Sequence, residues 1–255
     1  MPQAILYDST LCIGCKACEG ACAEHWHLPY NDKVAAEPRL SAHKLTAIQT
    51  FGEHYSRRLC MHCAEPACAS VCLVGAFQKT ALGPVVYDED KCIGCRYCML
   101  ACPFQVPVYE WSSRLPRVRK CDMCYARLKA GKPTACAEAC PTGATTCGDR
   151  DALVAEARRR LADKPGSYYP RIYGLQEVGG TSTLFLSAVP FEQIGLRTNL
   201  PTTPLPRLTW SVLSRTPDVA TMAGVAMGGI YWITHRREEV AAAEGRARGG
   251  NRHAG

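Results

Sequence analysis

CIGCKACEGAC, residues 12–22, places cysteines at Cys12, Cys15, Cys18 and Cys22 with the spacing C-x2-C-x2-C-x3-C. The same spacing returns in CIGCRYCMLAC at Cys92, Cys95, Cys98 and Cys102. Two further groups vary it. Cys60, Cys63, Cys68 and Cys72 follow C-x2-C-x4-C-x3-C, and Cys121, Cys124, Cys136 and Cys140 hold eleven residues between the inner pair. Sixteen of the 17 cysteines therefore fall into four groups of four. A tight C-x2-C-x2-C loop can wrap three corners of one iron–sulfur cubane, while the fourth cysteine opens a helix, points away and serves a second cluster. Structural zinc takes two separated pairs and has no use for a third cysteine three residues on. Disulfides fit no better, because neighbours in such a loop compete for one another, and a secreted disulfide scaffold is smaller with scattered cysteines.

An internal repeat supports the same reading. YDSTLCIGCKAC (7–18) matches YDEDKCIGCRYC (87–98), with Lys16 opposite Arg96, and CASVCLVGA (68–76) matches CAEACPTGA (136–144). Gly14 and Gly94 suit a backbone that passes close to sulfide. The chain of 255 residues is 47% hydrophobic and 21% charged, which excludes a disordered or collagen-like chain. Its formal charge of +7 is spread without the basic stripe and interleaved aromatics of a nucleic-acid binder. The N-terminus shows neither an apolar leader nor a twin-arginine pair, so the expectation is residence in the cytoplasm or export on a partner.

These motifs resemble the four-cluster iron–sulfur subunit family of DMSO reductase, formate dehydrogenase, polysulfide reductase and membrane-bound NiFe hydrogenase. CPFQVPVYEW (102–111), the Lys120-Cys121 pair and YYPRIYGLQEVGGTSTLFLSAVPFEQIGL (168–196) are most similar to the hydrogenase-2 type subunit. VGGT (178–181) is also similar to the formate dehydrogenase type. The resemblance implies four 4Fe–4S clusters ligated crosswise. Cluster A takes Cys12, Cys15, Cys18 and Cys140; cluster B takes Cys22, Cys121, Cys124 and Cys136. Cluster C takes Cys60, Cys63, Cys68 and Cys102; cluster D takes Cys72, Cys92, Cys95 and Cys98. It further implies a non-catalytic electron relay between a catalytic large subunit, a NiFe hydrogenase before a molybdenum or tungsten enzyme, and a quinone-reactive membrane subunit. A freestanding soluble polyferredoxin is the rival from another class. A DNA-repair or regulatory iron–sulfur protein leaves three of the clusters unexplained.

Leu73 after Cys72 and Ala23 after Cys22 replace the proline that follows Cys102 and Cys140, which alters helix entry and not ligation. Cys147 lies outside the pattern and reads as a packing residue. No ligand position is vacant for His25, His27, His54 or His62, so these, with Trp26, read as packing or partner contacts. Lys120 reads either as a charge that tunes a cluster or as a solvated surface lysine.

The expected fold class is α+β, built of tandem dicluster ferredoxin-like modules over residues 1–148, with an insertion at 23–59. Residues 149–198 add a helix (149–163) and a strand (181–189) packed on it. Residues 199–216 are expected as a proline-rich strap and 217–235 as one transmembrane helix. The uncharged run 219–234 carries small residues for helix packing (Ala220, Ala223, Gly224, Gly228, Gly229), and Tyr231 and Trp232 for an interface. The soluble alternative is a buried core helix. Residues 236–255 are expected as a disordered cytoplasmic tail, since Arg236, Arg237, Arg246, Arg248 and Arg252 follow the run, while Arg207 and Arg215 on the other flank count against that orientation. That orientation faces the cluster domain to the periplasm, by co-export with a partner.

Overall fold

The computed structural model describes residues 1–250, with side chains to residue 244. Two units are described separately, residues 1–206 and 207–250. In the first, β1 (Gln3–Asp8) leads into the first cysteine loop and α1 (Ala17–His25). A short α2 (Asp32–Ala36) and the hairpin β2 (Ala47–Phe51)–β3 (His54–Arg58) fill the excursion before the second group. Then come α3 (Ala67–Ser70), the hairpin β4 (Phe77–Lys79)–β5 (Val85–Tyr87), α4 (Tyr97–Ala101), and the two-residue strands β6 (Val108–Tyr109) and β7 (Val118–Arg119). α5 (Tyr125–Lys129), α6 (Ala135–Glu138), β8 (Thr145–Asp149), α7 (Arg150–Asp163) and β9 (Thr183–Leu186) complete this unit's regular elements. The class is mixed α and β.

The sequence repeat is a structural repeat. β1 pairs antiparallel with β8, and β5 pairs antiparallel with β4. Each pairing joins the strand before a CIGC loop to the strand after a C-x3-C-x2-Gly-Ala segment. Asp8 donates its N–H to Ala144 O at 2.7 Å, and Asp88 donates to Ala76 O at 2.8 Å. Gly14 and Gly94 share φ near 70° (70° and 69°), and Lys16 and Arg96 follow at 59° and 64°. This left-handed backbone turns each loop tightly before its helix starts.

The sheet order is β8-β1-β9, with β9 parallel to β1. Ile5 and Tyr7 of β1 point into the larger core with Tyr173, Phe185 and Phe191, while Leu6 points the other way under α7. Covered on both faces, β9 is buried at all four positions, which explains the mixed faces of its sequence. α7 matches the expected helix: Asp149 caps it by accepting from Asp151 N and Ala152 N, and Val154 and Ala157 bury against Leu6, Leu184 and Leu186. Each large aliphatic side chain so buried contributes about 1.5–3 kcal/mol.

The C-terminal expectations need correction. The strap contains a helix, α8 (Leu205–Leu213), and α9 (Thr216–Gly250) runs helical through much of the segment expected as disordered; residues 251–255 lie outside the described residues. Pro201, Pro204 and Pro206 fall before α8 or within its first turn, where proline fits a helix. Among the described residues no helix is long and apolar enough to cross a membrane. The physical reason is length: 16 uncharged residues rise about 24 Å at 1.5 Å each, short of the ~30 Å hydrocarbon core. Any longer window takes in Asp218 or the HRREE run (235–239). The transmembrane helix, the membrane anchor and the periplasmic orientation that rested on them are therefore withdrawn.

Candidate metal centres

The fold gathers the sixteen cysteines by burial and by contact between short helices. α1, bearing Cys18 and Cys22, packs on α6, which carries Cys136; α3, bearing Cys68, packs on α4, which carries Cys98. Cys12, Cys15, Cys18 and Cys140 line one small pocket closed by Ile13, Pro141 and Thr142. Burial raises the Cys22 thiol, and the nearby charges of Cys136 and Cys124 raise it further. Cys121, pushed up by burial, feels Cys22 and Cys124 in turn. Cys63 is raised by burial and then by Cys60, Cys102 and Cys68. Cys98 is pushed up to about 11 by burial and by Cys92, Cys95 and Cys72. Cysteines from different motifs thus lie close enough to act on one another.

Interactions also run between cysteines of different sets. Cys18 of the first set feels Cys136 of the second. Cys121 of the second feels Cys60 of the third, and Cys68 of the third feels Cys98 of the fourth. Cys15 of the first set and Cys95 of the fourth are exposed, while all four cysteines of the second set are buried.

Do these residues suit 4Fe–4S clusters? Among the described residues no group of His, Cys, Asp or Glu closes round a single metal ion. The cysteine-bearing helices pack in pairs, α1 on α6 and α3 on α4, and the third cysteine of each closely spaced motif suits a cubane better than zinc. Backbone amides already face the sulfurs: Ala76 N donates to Cys72 Sγ at 3.2 Å, Met123 N to Cys121 Sγ at 3.3 Å, Gly94 N to Cys92 Sγ and Thr145 N to Cys140 Sγ, both at 3.4 Å. Such donors stabilise thiolate charge and set cluster potentials. Most of the buried thiols are pushed upward, so they stay protonated until a cation displaces the proton. The residues fit the group.

The remaining sequence candidates fall as follows. Cys147 lies on β8, half-buried against the core, and in none of the four sets. His25 and Trp26 meet edge to face at 5.6 Å, and His27 lines a cavity of about 420 Å³ with Trp26, Tyr87 and Lys120. His54 begins β3 and is partly buried. His62 is buried and accepts Val85 N–H at Nδ1, 2.9 Å away. Lys120 is buried and not solvated: its ammonium donates to Val85 O and, at 2.9 Å, to Cys121 O, and lies over the Phe77 ring.

Three features lie outside the cysteines of the motifs. Glu19 in α1 is buried in an ion pair with Lys44 at 2.8 Å and accepts from Ile48 N at 2.5 Å, pinning the excursion to the first cluster helix. The VGGT segment and the start of β9 after it clamp the second cysteine loop: Gly180 O accepts from Ala64 N, Ser182 N donates to Met61 O, and Thr183 Oγ1 donates to Cys60 O. Arg57 is 1% exposed, between the first two cysteine sets. A charged residue just before a cysteine motif was visible in the sequence, but not its burial.

Comparison with known proteins agrees with this geometry. A family profile described as the 4Fe-4S dicluster domain matches residues 52–150. The hydrogenase-2 operon protein HybA of Escherichia coli O157:H7 is 38% identical over 236 residues, covering 75% of this chain and 72% of HybA. The formate dehydrogenase iron-sulfur subunit of Haemophilus influenzae is 34% identical over 245 residues, 89% of this chain and 77% of that protein. One subunit of the anaerobic dimethyl sulfoxide reductase of Haemophilus influenzae is 39% identical over 153 residues, 58% of this chain and 74% of that subunit. With its cysteines gathered in fours and these relatives matched over most of their length, the protein belongs to the 4Fe–4S electron-transfer subunits of hydrogenase, formate dehydrogenase and dimethyl sulfoxide reductase type complexes, and not to their catalytic subunits.

Proposed function

We propose that the chain relays electrons through four 4Fe–4S clusters, A to D, held in the order A–B–C–D by the four crosswise cysteine sets. Two tandem dicluster modules within residues 1–148 supply the sets, and residues 149–198 brace them. When bound, the clusters supply one-electron storage and transfer. The protein holds the thiolates, aims backbone N–H groups at the sulfurs, and keeps water from the inner sets by burial. The exposed cysteines Cys15 and Cys95 mark the two ends at which partners exchange electrons.

The observation that supports this reading is the packing of the cysteine-bearing helices, α1 on α6 and α3 on α4, in a chain with four groups of four cysteines. The partners are a catalytic large subunit and a quinone-reactive membrane subunit. The likeness to HybA favours a NiFe hydrogenase as the catalytic partner. A formate dehydrogenase is the second reading, favoured by the relative that matches 89% of this chain. Anaerobic purification of the native complex tests both levels. The expected result is about sixteen irons per chain with a nickel-bearing large subunit. Far fewer irons, or zinc in their place, overturns the cluster reading; a molybdopterin-bearing subunit selects the second partner.

A further inference from the structure

Arg57, the penultimate residue of β3, is 1% exposed, and its guanidinium has no carboxylate partner among the described residues. A permanently charged side chain in such a place demands an anion. Two neutral hydroxyls hold it: Nε donates to Thr46 Oγ1 at 2.9 Å and Nη1 to Thr145 Oγ1 at 3.0 Å. Thr145 in turn gives its own N–H to Cys140 Sγ at 3.4 Å and lines the pocket of Cys12, Cys15 and Cys18. The thiols of Cys136, Cys18 and Cys121, once ionised, are the groups whose negative charge acts most on Arg57, and α1, which carries Cys18, packs on α6, which carries Cys136. The nearest groups able to carry negative charge thus come from two different cysteine sets.

We propose that Arg57 is the shared counter-ion of clusters A and B, and that its charge raises the reduction potentials of both. The inference rests on the four-cluster reading above. Its physics is simple: a reduced cluster is more negative than an oxidised one, so a fixed cation beside it favours reduction. Low exposure keeps water from screening the charge. Because arginine does not titrate in the working range, the bias is permanent.

Redox titration of the full-length chain in its complex, followed by electron paramagnetic resonance, tests this. In Arg57→Gln, at unchanged iron content, two of the four potentials should fall, each by at least tenfold in the ratio of reduced to oxidised cluster, about 59 mV for a one-electron couple. The other two should stay in place, and Arg57→Lys should restore most of the loss. Four unchanged potentials, four that fall together, or a lysine variant that falls as far as the glutamine one would each overturn the proposal. If the glutamine variant fails to load iron, Thr46→Val decides, since it removes the Nε tether and leaves every cysteine untouched. A smaller fall confined to two potentials supports the proposal, and no change overturns it. Wild-type protein with far fewer than about sixteen irons would sink the cluster reading instead, a distinct outcome.

Discussion

Cys22 and Cys147 are both buried or half-buried thiols, and only one belongs to a set of four. At this scale the two should separate cleanly. Cys22→Ser is expected to lower iron by about four per chain, one cubane, as read by metal analysis of anaerobic protein. Cys147→Ala should leave iron unchanged and lower stability by about 1 kcal/mol, as read by the thermal midpoint. Glu19 makes a different prediction. Glu19→Gln leaves the Lys44 ammonium buried without its partner, which costs about 3–5 kcal/mol. The excursion should then loosen, read as faster amide exchange at Ile48, whose N–H Glu19 accepts. Cys22 was legible in the sequence because a ligand's spacing is local. Glu19 was not, since its partners Lys44 and Ile48 reach it only through the folded excursion.

Among the elements, β9 and the turns around it do the bracing. Gly174 sits at φ 99°, and a Cβ there would lie 2.4 Å from Thr183 O, a backbone atom that cannot move aside. Gly174→Ala is expected to cost more than about 1 kcal/mol, seen as a lower thermal midpoint. In that variant the second cysteine loop should be the first to release iron on warming, because Met61 O and Cys60 O accept their bonds from Ser182 and Thr183. α7 and β9 were both legible, one from the helical spacing of Leu153, Val154, Ala157 and Leu161 and the Pro165-Gly166 stop, the other within the strand expected over 181–189. α8 was not, because three prolines within six residues (201–206) masked the helix that starts among them.

Across the whole molecule, all seventeen cysteines lie in the unit of residues 1–206. A chain ending at Pro206 should therefore keep about sixteen irons and the visible spectrum of the full chain; loss of iron on that truncation would show that residues 207–255 help hold the sets. Cysteines also form part of the main apolar core, beside Tyr7, Met61, Met123 and Phe185. Stripping iron with a chelator under anaerobic conditions should accordingly abolish the cooperative thermal transition, since the metal's binding energy is folding energy here.

Spacing carried the cofactor; the two-fold repeat came from the residues that match around it, and the family from a resemblance that also drew on residues 102–111 and 168–196. A tight loop that wraps a cubane is a matter of a dozen neighbouring residues, and those are written side by side. The placement of uncompensated charge was decided only by the tertiary structure: Arg57 meets Thr145 across 88 residues of chain, and Lys120 is buried beneath Val85 O across 35. The C-terminal run shows the reverse. Its apolar residues suggested a span, but the geometry of one long helix sets rise per residue against bilayer thickness, and the run is too short.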